Sequence, residues 1–445
     1  MVSTSRSVKV HRMSSRGRWL AAAALVVGVV LRLGVCWLRD PGMYRYSDMG
    51  NYDQVAEHVL KGSLWPRDTF YPIGYPAFLA ALYTVGSSRF LVVSAVQALL
   101  GILTCVLVCA LTWKTTTSEA ASVGAALASS VYPPFIYYGS LLLTEAIAPF
   151  FLTLHVYLLL RMFERPSVFR CAAAGVVLSL ATTIRPNFLL LYPFVCLATW
   201  TAFPPHAWIR WKAAGLTLFF ALPMLALVSI NNSWLVGRPT GLSTNGGVNF
   251  YLMHTDVRGL TFFDEWLSPI RNFQRFKSWE SSAVPLYDEP HFYRAGFERF
   301  RARDDKVAHL LDNVAEGFGL GGQAYWPANL TRSVEDPNRL DHWWERHMLR
   351  WSSRIFVWLL VLPIGVEGAI LAARRTIFQP SESPRLLACL MIVVLAHFCE
   401  ALGLLPWMGW GFPNSVGHYL DLGSAAFGLT LFPIGYLWHA LTRRS

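Results

Sequence analysis

The sequence predicts an all-α, polytopic membrane protein. Of its 445 residues, 54% are hydrophobic and only 15% are charged, and the mean hydropathy is +0.38. Soluble domains carry about a quarter charged residues. Many apolar runs reach about 20 residues, which is the length that crosses a hydrocarbon core of about 30 Å. Together these features exclude an ordinary soluble enzyme of this length.

The apolar runs divide the chain into about ten predicted transmembrane helices. Each is bounded by charged or helix-breaking residues, as expected at a membrane surface. The predicted spans are Trp19–Leu38, Phe90–Trp113, Glu119–Tyr132, Leu141–Phe163, Phe169–Ile184, Phe188–Phe203, Lys212–Ile230, Ser353–Ala373, Leu386–Met408 and His418–Leu441.

The charge distribution decides how the ambiguous segment Tyr71–Val85 is interpreted. Lys and Arg accumulate in cytoplasmic loops, and they all fall on one side of the membrane only if this segment does not cross it. Tyr71–Val85 is then a helix at the membrane surface, and both termini are cytoplasmic. The residues that fix this orientation, besides the basic N-terminus, are Lys114, Arg161, Arg165, Arg170, Arg210, Lys212, Arg374, Arg375, Arg443 and Arg444.

This topology predicts four parts. Residues 1–18 are a basic cytoplasmic N-terminus, and 19–231 are a membrane module that includes a first external loop at 39–89. Residues 232–352 form a large extracytoplasmic loop, and 353–445 are C-terminal transmembrane helices of an inner or plasma membrane. The net charge of +11 follows from the orientation and does not indicate nucleic-acid binding.

The chemically interesting polar residues collect at the predicted outer boundary of the membrane. Asp48 lies in the first external loop, Glu145 in apolar surroundings, and Arg185 at the end of a span. Ionisable groups near hydrocarbon are costly and therefore indicate function. Asp48 suits a general base and Arg185 a phosphate ligand. Glu145 suits an orienting partner, or half of a divalent-metal site with Asp48.

Each of these residues also has a structural interpretation. Asp48 could cap the helix that follows it, Glu145 could pair with Arg185, and Arg185 could reach from the span to the interface. Further candidates surround them. Lys61 and His418 are candidate phosphate ligands, and the candidate substrate-binding residues are Tyr52, Tyr75, Asn187, Ser243, Asn245 and Asn249. No cofactor other than this divalent metal is predicted.

The order of motifs resembles a known family over roughly the first 255 residues. The motifs are Ser47-Asp48-x-x-x-Tyr52, Tyr71-Pro72-Ile73-Gly74-Tyr75-Pro76, a Pro-Pro segment followed by Thr144-Glu145, Arg185-Pro186, and Ser243–Asn249. They are similar to those of GT-C membrane glycosyltransferases, in the branch of protein O-mannosyltransferases and lipid A aminoarabinose transferases.

The resemblance implies an inverting enzyme that uses a polyprenyl-phosphate sugar as donor. It places the acidic hallmark of the family at Asp48 and a second acidic position at Glu145. The acceptor would be a lipid, glycan or protein hydroxyl on the extracytoplasmic face. One departure is that Met49, and not a second acidic residue, follows Asp48.

Other function classes remain open at this stage. A transporter or flippase of lipid-linked sugars would have polar residues at the bilayer midplane, whereas here they gather at one boundary. A polymerase or ligase of lipid-linked polysaccharide uses a similar donor. A structural or assembly protein would use the large loop for docking.

Overall fold

The structure of the protein is a computed structural model. It describes residues 13–38, 48–85, 89–116, 119–132, 135–136, 139–203, 208–254, 285 and 287–310. Within these ranges the ordered elements are all helices, which agrees with the predicted all-α class. The predicted spans Ser353–Ala373, Leu386–Met408 and His418–Leu441, and most of loop 232–352, lie outside them.

The helices follow the predicted apolar runs closely. The helices that occupy predicted spans, called the membrane helices below, are α1 (Ser15–Leu38), α4 (Arg89–Thr116), α5 (Glu119–Val131), α6 (Ala148–Glu164), α7 (Val168–Ile184), α8 (Leu191–Ala202) and α9 (Trp208–Val236). Three segments of the described chain, Ser15–Trp37, Phe90–Lys114 and Trp211–Val236, are long and apolar enough to cross a membrane unaided.

One predicted span begins later than expected. The run Leu141–Phe163 becomes helical only at Ala148, because Thr144–Ala146 forms a short 3₁₀ turn. Pro149 lies in the first turn of α6, where its missing N–H is tolerated. Glu145 therefore stands in front of the helix and not within it.

Consecutive membrane helices alternate in direction, so their connections gather at two ends. Lys114 at the end of α4 pairs with Glu164 at the end of α6, and Ser14 before α1 bonds Glu119 at the start of α5. The other end collects the C-termini of α1, α5, α7 and α9 and the N-termini of α4, α6 and α8. The candidate site residues lie at that second end. Asp48 begins α2 (Asp48–Lys61) there, Glu145 precedes α6, and Arg185 follows α7.

The first end carries a net positive charge and is called the basic end. Among the described residues it contains Arg16, Arg18, Lys114, Arg161, Arg165, Arg170 and Lys212, which lie in the terminal turns or connections of α1, α4, α6, α7 and α9. Glu119 and Glu164 are the acidic residues at this end within the described ranges, so the end has a net positive charge, whereas basic and acidic residues are mixed at the site end.

The first external loop folds into two short helices at the second end. They are α2 (Asp48–Lys61) and α3 (Gly74–Tyr83), with a 3₁₀ turn at Pro66–Phe70 between them. With 10 residues, α3 is about 15 Å long, half of what crosses a bilayer. The segment Tyr71–Val85 thus contains no membrane-spanning helix.

Glycine 74 lets α3 approach the end of α7 closely. A Cβ atom at this position would lie 2.6 Å from the carbonyl carbon of Thr183 and 2.7 Å from the amide nitrogen of Ile184. Because no side chain fits there, the absence of a Cβ places the start of α3 directly beside Arg185.

The chain after α9 returns to the first external loop. The backbone N–H of Thr244 donates to the carbonyl of Thr69 at 2.8 Å, and the two threonine hydroxyls lie 3.3 Å apart. The described part of the chain beyond this point includes the helices α10 (Gly246–Met253) and α11 (Glu289–Ala302). They pack closely, since a Cβ on Gly247 would lie 2.4 Å from the carbonyl oxygen of Glu289.

Candidate active site

The site is built around an ion pair between Arg185 and Glu145. Nη2 of Arg185 lies 2.8 Å from Oε1 of Glu145, and both side chains are largely buried, with exposed fractions of 12% and 14%. The hydroxyl of Thr144 accepts from Nε and Nη2 of Arg185 at 3.2 and 3.0 Å and lies 3.1 Å from Oε2 of Glu145. Arg185 ends α7 and Glu145 precedes α6, so the pair joins two neighbouring helices.

Tyr52 connects this pair to Asp48. Its ring is buried, and it shares a hydrogen bond with Thr144. Burial raises the pKa of Tyr52, the charges of Asp48 and Glu145 raise it further, and the charge of Arg185 opposes them. The three residues predicted to carry the chemistry, Asp48, Glu145 and Arg185, therefore all lie close enough to Tyr52 for their charges to affect the pKa of its hydroxyl.

Asp48 is the first residue of α2, where its negative charge is favourable next to the positive end of the helix dipole. Its Oδ1 accepts a hydrogen bond from the hydroxyl of Tyr71 at 3.2 Å. That hydroxyl in turn accepts from Nδ2 of Asn51 at 2.6 Å. Asn51 lies one turn after Asp48, so the two side chains occupy the same face of α2.

The environment of Asp48 suits a base that works near neutral pH. Burial raises the pKa of Asp48 to about 6, the charge of Glu145 adds to the rise, and the hydrogen bond from Tyr71 opposes it. Solvent nevertheless reaches the side chain. An open cleft accounts for both observations, because protein surrounds the carboxylate while one side stays accessible.

The segment Ser243–Asn249 lies next to these residues through its bonds to Thr69. Ser243 is buried and its hydroxyl donates to Oδ1 of Asn245 at 2.9 Å. Asn245 and Asn249 remain partly exposed, and the backbone N–H of Asn249 donates to the carbonyl of Asn245. The two asparagines are thus the members of this segment that retain access to a ligand.

Other predicted ligands lie elsewhere. Lys61 is at the far end of α2, about 20 Å along the axis from Asp48 by the rise of a helix, and it faces Glu57 at 3.6 Å. Tyr75 is fully buried and its hydroxyl donates to Gln97 at 2.7 Å, so it packs beneath the site and does not line it. Asn187 is buried behind Arg185, and His418 lies outside the described residues.

A divalent metal is a poor fit to the residues present. Both carboxylate oxygens of Glu145 are already engaged, one by Arg185 and one by Thr144. Within the described ranges, no group of three His, Cys, Asp or Glu residues could hold a metal ion. The guanidinium beside Glu145 would also repel a cation. No chemical step is therefore assigned to a metal.

Three residues of the site were missed by reasoning on the sequence. Thr144 was noted only as a neighbour of Glu145, Tyr71 only as part of a motif, and Asn51 only as part of the polar stretch that follows Asp48. The spacing of Asp48 and Asn51 on one helix face could have suggested that pair. The contact with Tyr71 depends on a chain reversal at Pro66–Phe70 and has no signal in the sequence.

Comparison with solved structures identifies the fold. The chain is similar to the archaeal oligosaccharyltransferase AglB from Archaeoglobus fulgidus in complex with an inhibitory peptide and a dolichol-phosphate, with a TM-score of 0.50 at 14% identity. It is also similar to the oligosaccharyltransferase of the same organism tethered with an acceptor peptide containing the NVT sequon, with a TM-score of 0.52 at 11% identity. No protein-family model and no curated protein matches the sequence.

These neighbours are GT-C fold glycosyltransferases, so the predicted GT-C fold is confirmed. The similarity covers 97% and 96% of this chain but only 52% and 50% of the two neighbours. The chain thus spans about half the length of the proteins it resembles. At such low identities the likeness concerns the fold, and the chemistry must be argued from the site.

Proposed function

We propose that the protein is a membrane glycosyltransferase that moves a sugar from a polyprenyl-phosphate donor to an acceptor hydroxyl, with inversion. The observation that carries the proposal is the assembly of Asp48, Glu145 and Arg185 around Tyr52 at one end of a GT-C helical bundle. A base, a cationic group and an orienting carboxylate are the groups that this reaction needs.

In the proposed reaction, the acceptor oxygen attacks the anomeric carbon from the face opposite the phosphate. The bond between that carbon and the phosphate oxygen breaks, and the phosphate leaves with the electron pair on its polyprenyl carrier. Asp48 takes the proton of the acceptor hydroxyl. With a pKa of about 6, Asp48 is mostly ionised at neutral pH and still basic enough to accept a proton.

Arg185 is the proposed ligand of the departing phosphate. Its guanidinium is fixed by Glu145 and Thr144, which removes the cost of ordering it when the donor binds. A pre-oriented cation in a largely buried position stabilises charge that develops in the transition state. Glu145 then acts by orienting Arg185 and by raising the basicity of Asp48.

The donor class is supported by the neighbours as well as by the site. One neighbour was solved with a dolichol-phosphate, and both were solved with peptides. A polyprenyl phosphate in this chain would place its lipid between membrane helices and its phosphate at their ends, beside Arg185. We propose that the acceptor approaches over Asn245 and Asn249, and that it is a lipid, glycan or protein hydroxyl.

The orientation of the chain is part of the proposal. The basic end of the described helices would face the cytoplasm, and the site would face the extracytoplasmic side of an inner or plasma membrane. This arrangement corresponds to about ten spans with both termini in the cytoplasm. Clustering of the polar residues at one end, and not at mid-membrane, favours an enzyme over a transporter.

The test is a donor-release assay with a matched variant. Membranes containing the wild type or Asp48→Asn are incubated with radiolabelled mannose, glucose or aminoarabinose on undecaprenyl phosphate. The labelled carrier is separated from the other labelled products, lipids included, and the label that has left the carrier is counted. We expect release by the wild type and a loss of about 10²-fold or more in Asp48→Asn, because the amide cannot accept the proton.

Protein amount and detergent-solubilised elution volume serve as controls for folding. Equal release by both forms would remove Asp48 as the base. Binding of a donor without release in any membrane, including native membranes that supply the acceptor, would instead favour transport of the lipid-linked sugar.

A further inference from the structure

We propose that Tyr71, oriented by Asn51, is the positioning residue that fixes the Asp48 carboxylate for catalysis. This inference rests on the proposed function and deepens it. The observation behind it is a three-residue chain of hydrogen bonds from Asn51 through the Tyr71 hydroxyl to Oδ1 of Asp48.

The direction of this chain is set by chemistry. The amide Nδ2 of Asn51 is only a donor, so at 2.6 Å the oxygen of Tyr71 must accept from it. A phenol has a single proton, and with its oxygen occupied by Asn51 that proton points to Oδ1 of Asp48 at 3.2 Å. The Oδ1 oxygen of Asp48 is therefore held as an acceptor, which leaves Oδ2 to take a proton.

The ring of Tyr71 is itself fixed by other aromatic rings. It packs edge-on against Tyr52 at 5.1 Å and against Phe70 at 5.1 Å. Tyr52 in turn packs on Tyr75 at 5.0 Å, whose hydroxyl is anchored to Gln97 on α4. The hydroxyl that contacts Asp48 is thus connected to a membrane helix through edge-to-face contacts with the buried rings of Tyr52 and Tyr75.

The two oxygens of Asp48 therefore have different roles. Tyr71 occupies Oδ1, which directs the proton of the acceptor to Oδ2. The same bond prevents rotation of the carboxylate away from the sugar. Because catalytic groups must be held within about 0.5 Å of their productive geometry, loss of the bond should slow the reaction even where the donor still binds.

The chain supplies a matched control for this bond. The hydroxyl of Tyr83 on α3 donates to Oδ1 of Asp53 on α2 at 2.7 Å, which is a second tyrosine–aspartate bond between the same two parts of the external loop. Asp53 lies in the second turn of α2 and has no proposed chemical role. Tyr83→Phe therefore removes the same atoms and the same kind of bond without touching Asp48.

The experiment compares initial rates of donor release for the wild type, Tyr71→Phe, Asn51→Ala, the double variant and Tyr83→Phe. The probe is undecaprenyl phosphate bearing the labelled sugar that the wild type releases. We expect Tyr71→Phe to lower kcat by about tenfold to a hundredfold, with the KM for the donor changed by less than about twofold. Asn51→Ala should lose less, because the Tyr71 hydroxyl remains.

The double variant shows whether Asn51 acts through Tyr71. We expect Tyr71→Phe/Asn51→Ala to be no slower than Tyr71→Phe alone, a departure from additivity that marks coupled residues. Tyr83→Phe should keep the kcat of the wild type. Together these rates distinguish a loss of Asp48 positioning from a general destabilisation of the external loop.

Three results would overturn the inference: an unchanged kcat in Tyr71→Phe, an equal loss in Tyr83→Phe, or additive losses of Tyr71 and Asn51. If Tyr71→Phe fails to accumulate, an unchanged kcat in Asn51→Ala overturns it as well. Each leaves the proposed function standing while Asp48→Asn stays inactive. Full activity of Asp48→Asn would instead remove the function from which the inference starts.

Discussion

The two ends of the membrane helices carry ion pairs in opposite settings. At the basic end, Glu164 is 45% exposed and faces both Lys114 and Arg161. At the other end, Arg185 and Glu145 are 12% and 14% exposed. Solvent screens the first pairs, so each contributes about 0–1 kcal/mol. The Arg185–Glu145 pair is largely shielded from water, so removing one partner is costly because the other charge is left buried. Buried charges of this kind are found where function requires fixed charges.

The largest expected effect comes from breaking the shielded pair. Arg185→Met leaves the Glu145 carboxylate without its partner, and we expect a loss of about 3 kcal/mol in the free energy of unfolding. We also expect transfer to fall by about 10²-fold or more, because the phosphate loses its cation. Thermal unfolding in detergent and the donor-release assay measure the two effects.

The matched change at the basic end is Glu164→Gln. It should alter the free energy of unfolding by less than about 1 kcal/mol and leave transfer unchanged. If Arg185→Met and Glu164→Gln lost similar amounts of stability and activity, the burial of the Arg185–Glu145 pair would not explain a difference between the two ends.

The next effect tests how the site end is assembled. Gly74→Ala introduces a Cβ atom 2.6 Å from the backbone of Thr183, and overpacking of this kind costs about 1–3 kcal/mol. We expect lower stability and slower transfer, because α3 and the adjoining Tyr71 must move away from Arg185.

Gly124→Ala, on α5, is the control for this substitution. A Cβ at Gly124 meets nothing within 4 Å, so its stability should stay within about 1 kcal/mol of the wild type. If Gly74→Ala kept the stability and the transfer rate of the wild type, as expected for Gly124→Ala, neither property would require the close contact between α3 and α7.

A smaller effect concerns pH. Asp48 must be ionised to act as a base, so kcat/KM should fall as pH drops through about 6, the pKa of Asp48. Glu145→Gln removes a negative charge that raises this pKa, so the acid limb of the profile should move to lower pH. An acid limb that stays in place would show that Glu145 does not act on Asp48 through its charge.

The smallest effect lies at the edge of the site end, where α11 packs on α10. Burial raises the pKa of Glu289 to about 7, although bonds from Tyr293 and the backbone of Gly247 oppose the rise. An acid whose pKa is raised by folding favours the folded state at low pH, and this contribution is lost as pH rises from about 4.5 to about 7. The protection factors of the α11 amides, which are the intrinsic exchange rates at each pH divided by the observed rates, should therefore be lower at pH 8 than at pH 6.

Glu289→Gln is the control for the pH effect, because it retains the shape of the side chain without the charge. The difference in protection factors between pH 6 and pH 8 should disappear in this variant. If the difference persisted, a group other than Glu289 would be responsible for it.

Much of the membrane architecture was readable from the sequence because it rests on local physics. Runs such as Phe90–Trp113 must form helices in lipid, where each backbone polar group needs a partner within the segment. The exclusion of Tyr71–Val85 as a span came from charge counting, and the 10-residue α3 agrees with it. Boundaries were less accurate, because the Thr144–Ala146 turn and Pro149 delay α6 in a way that hydropathy does not register.

The sequence by itself determined that Asp48, Glu145 and Arg185 lie at one end of the helices, since alternating helices return such residues to the same end. Only the tertiary structure decided which of them touch. Arg185 binds Thr144, 41 positions away, and the neighbouring Glu145, whereas Asp48 binds Tyr71, 23 positions away. Tyr75 and Lys61 were excluded from the cleft in the same way. Periodicity and charge predict at which end of a helix a side chain lies. Which side chains touch depends on how distant segments pack, and here that packing depends on the close approach at Gly74 and on the turn at Pro66–Phe70.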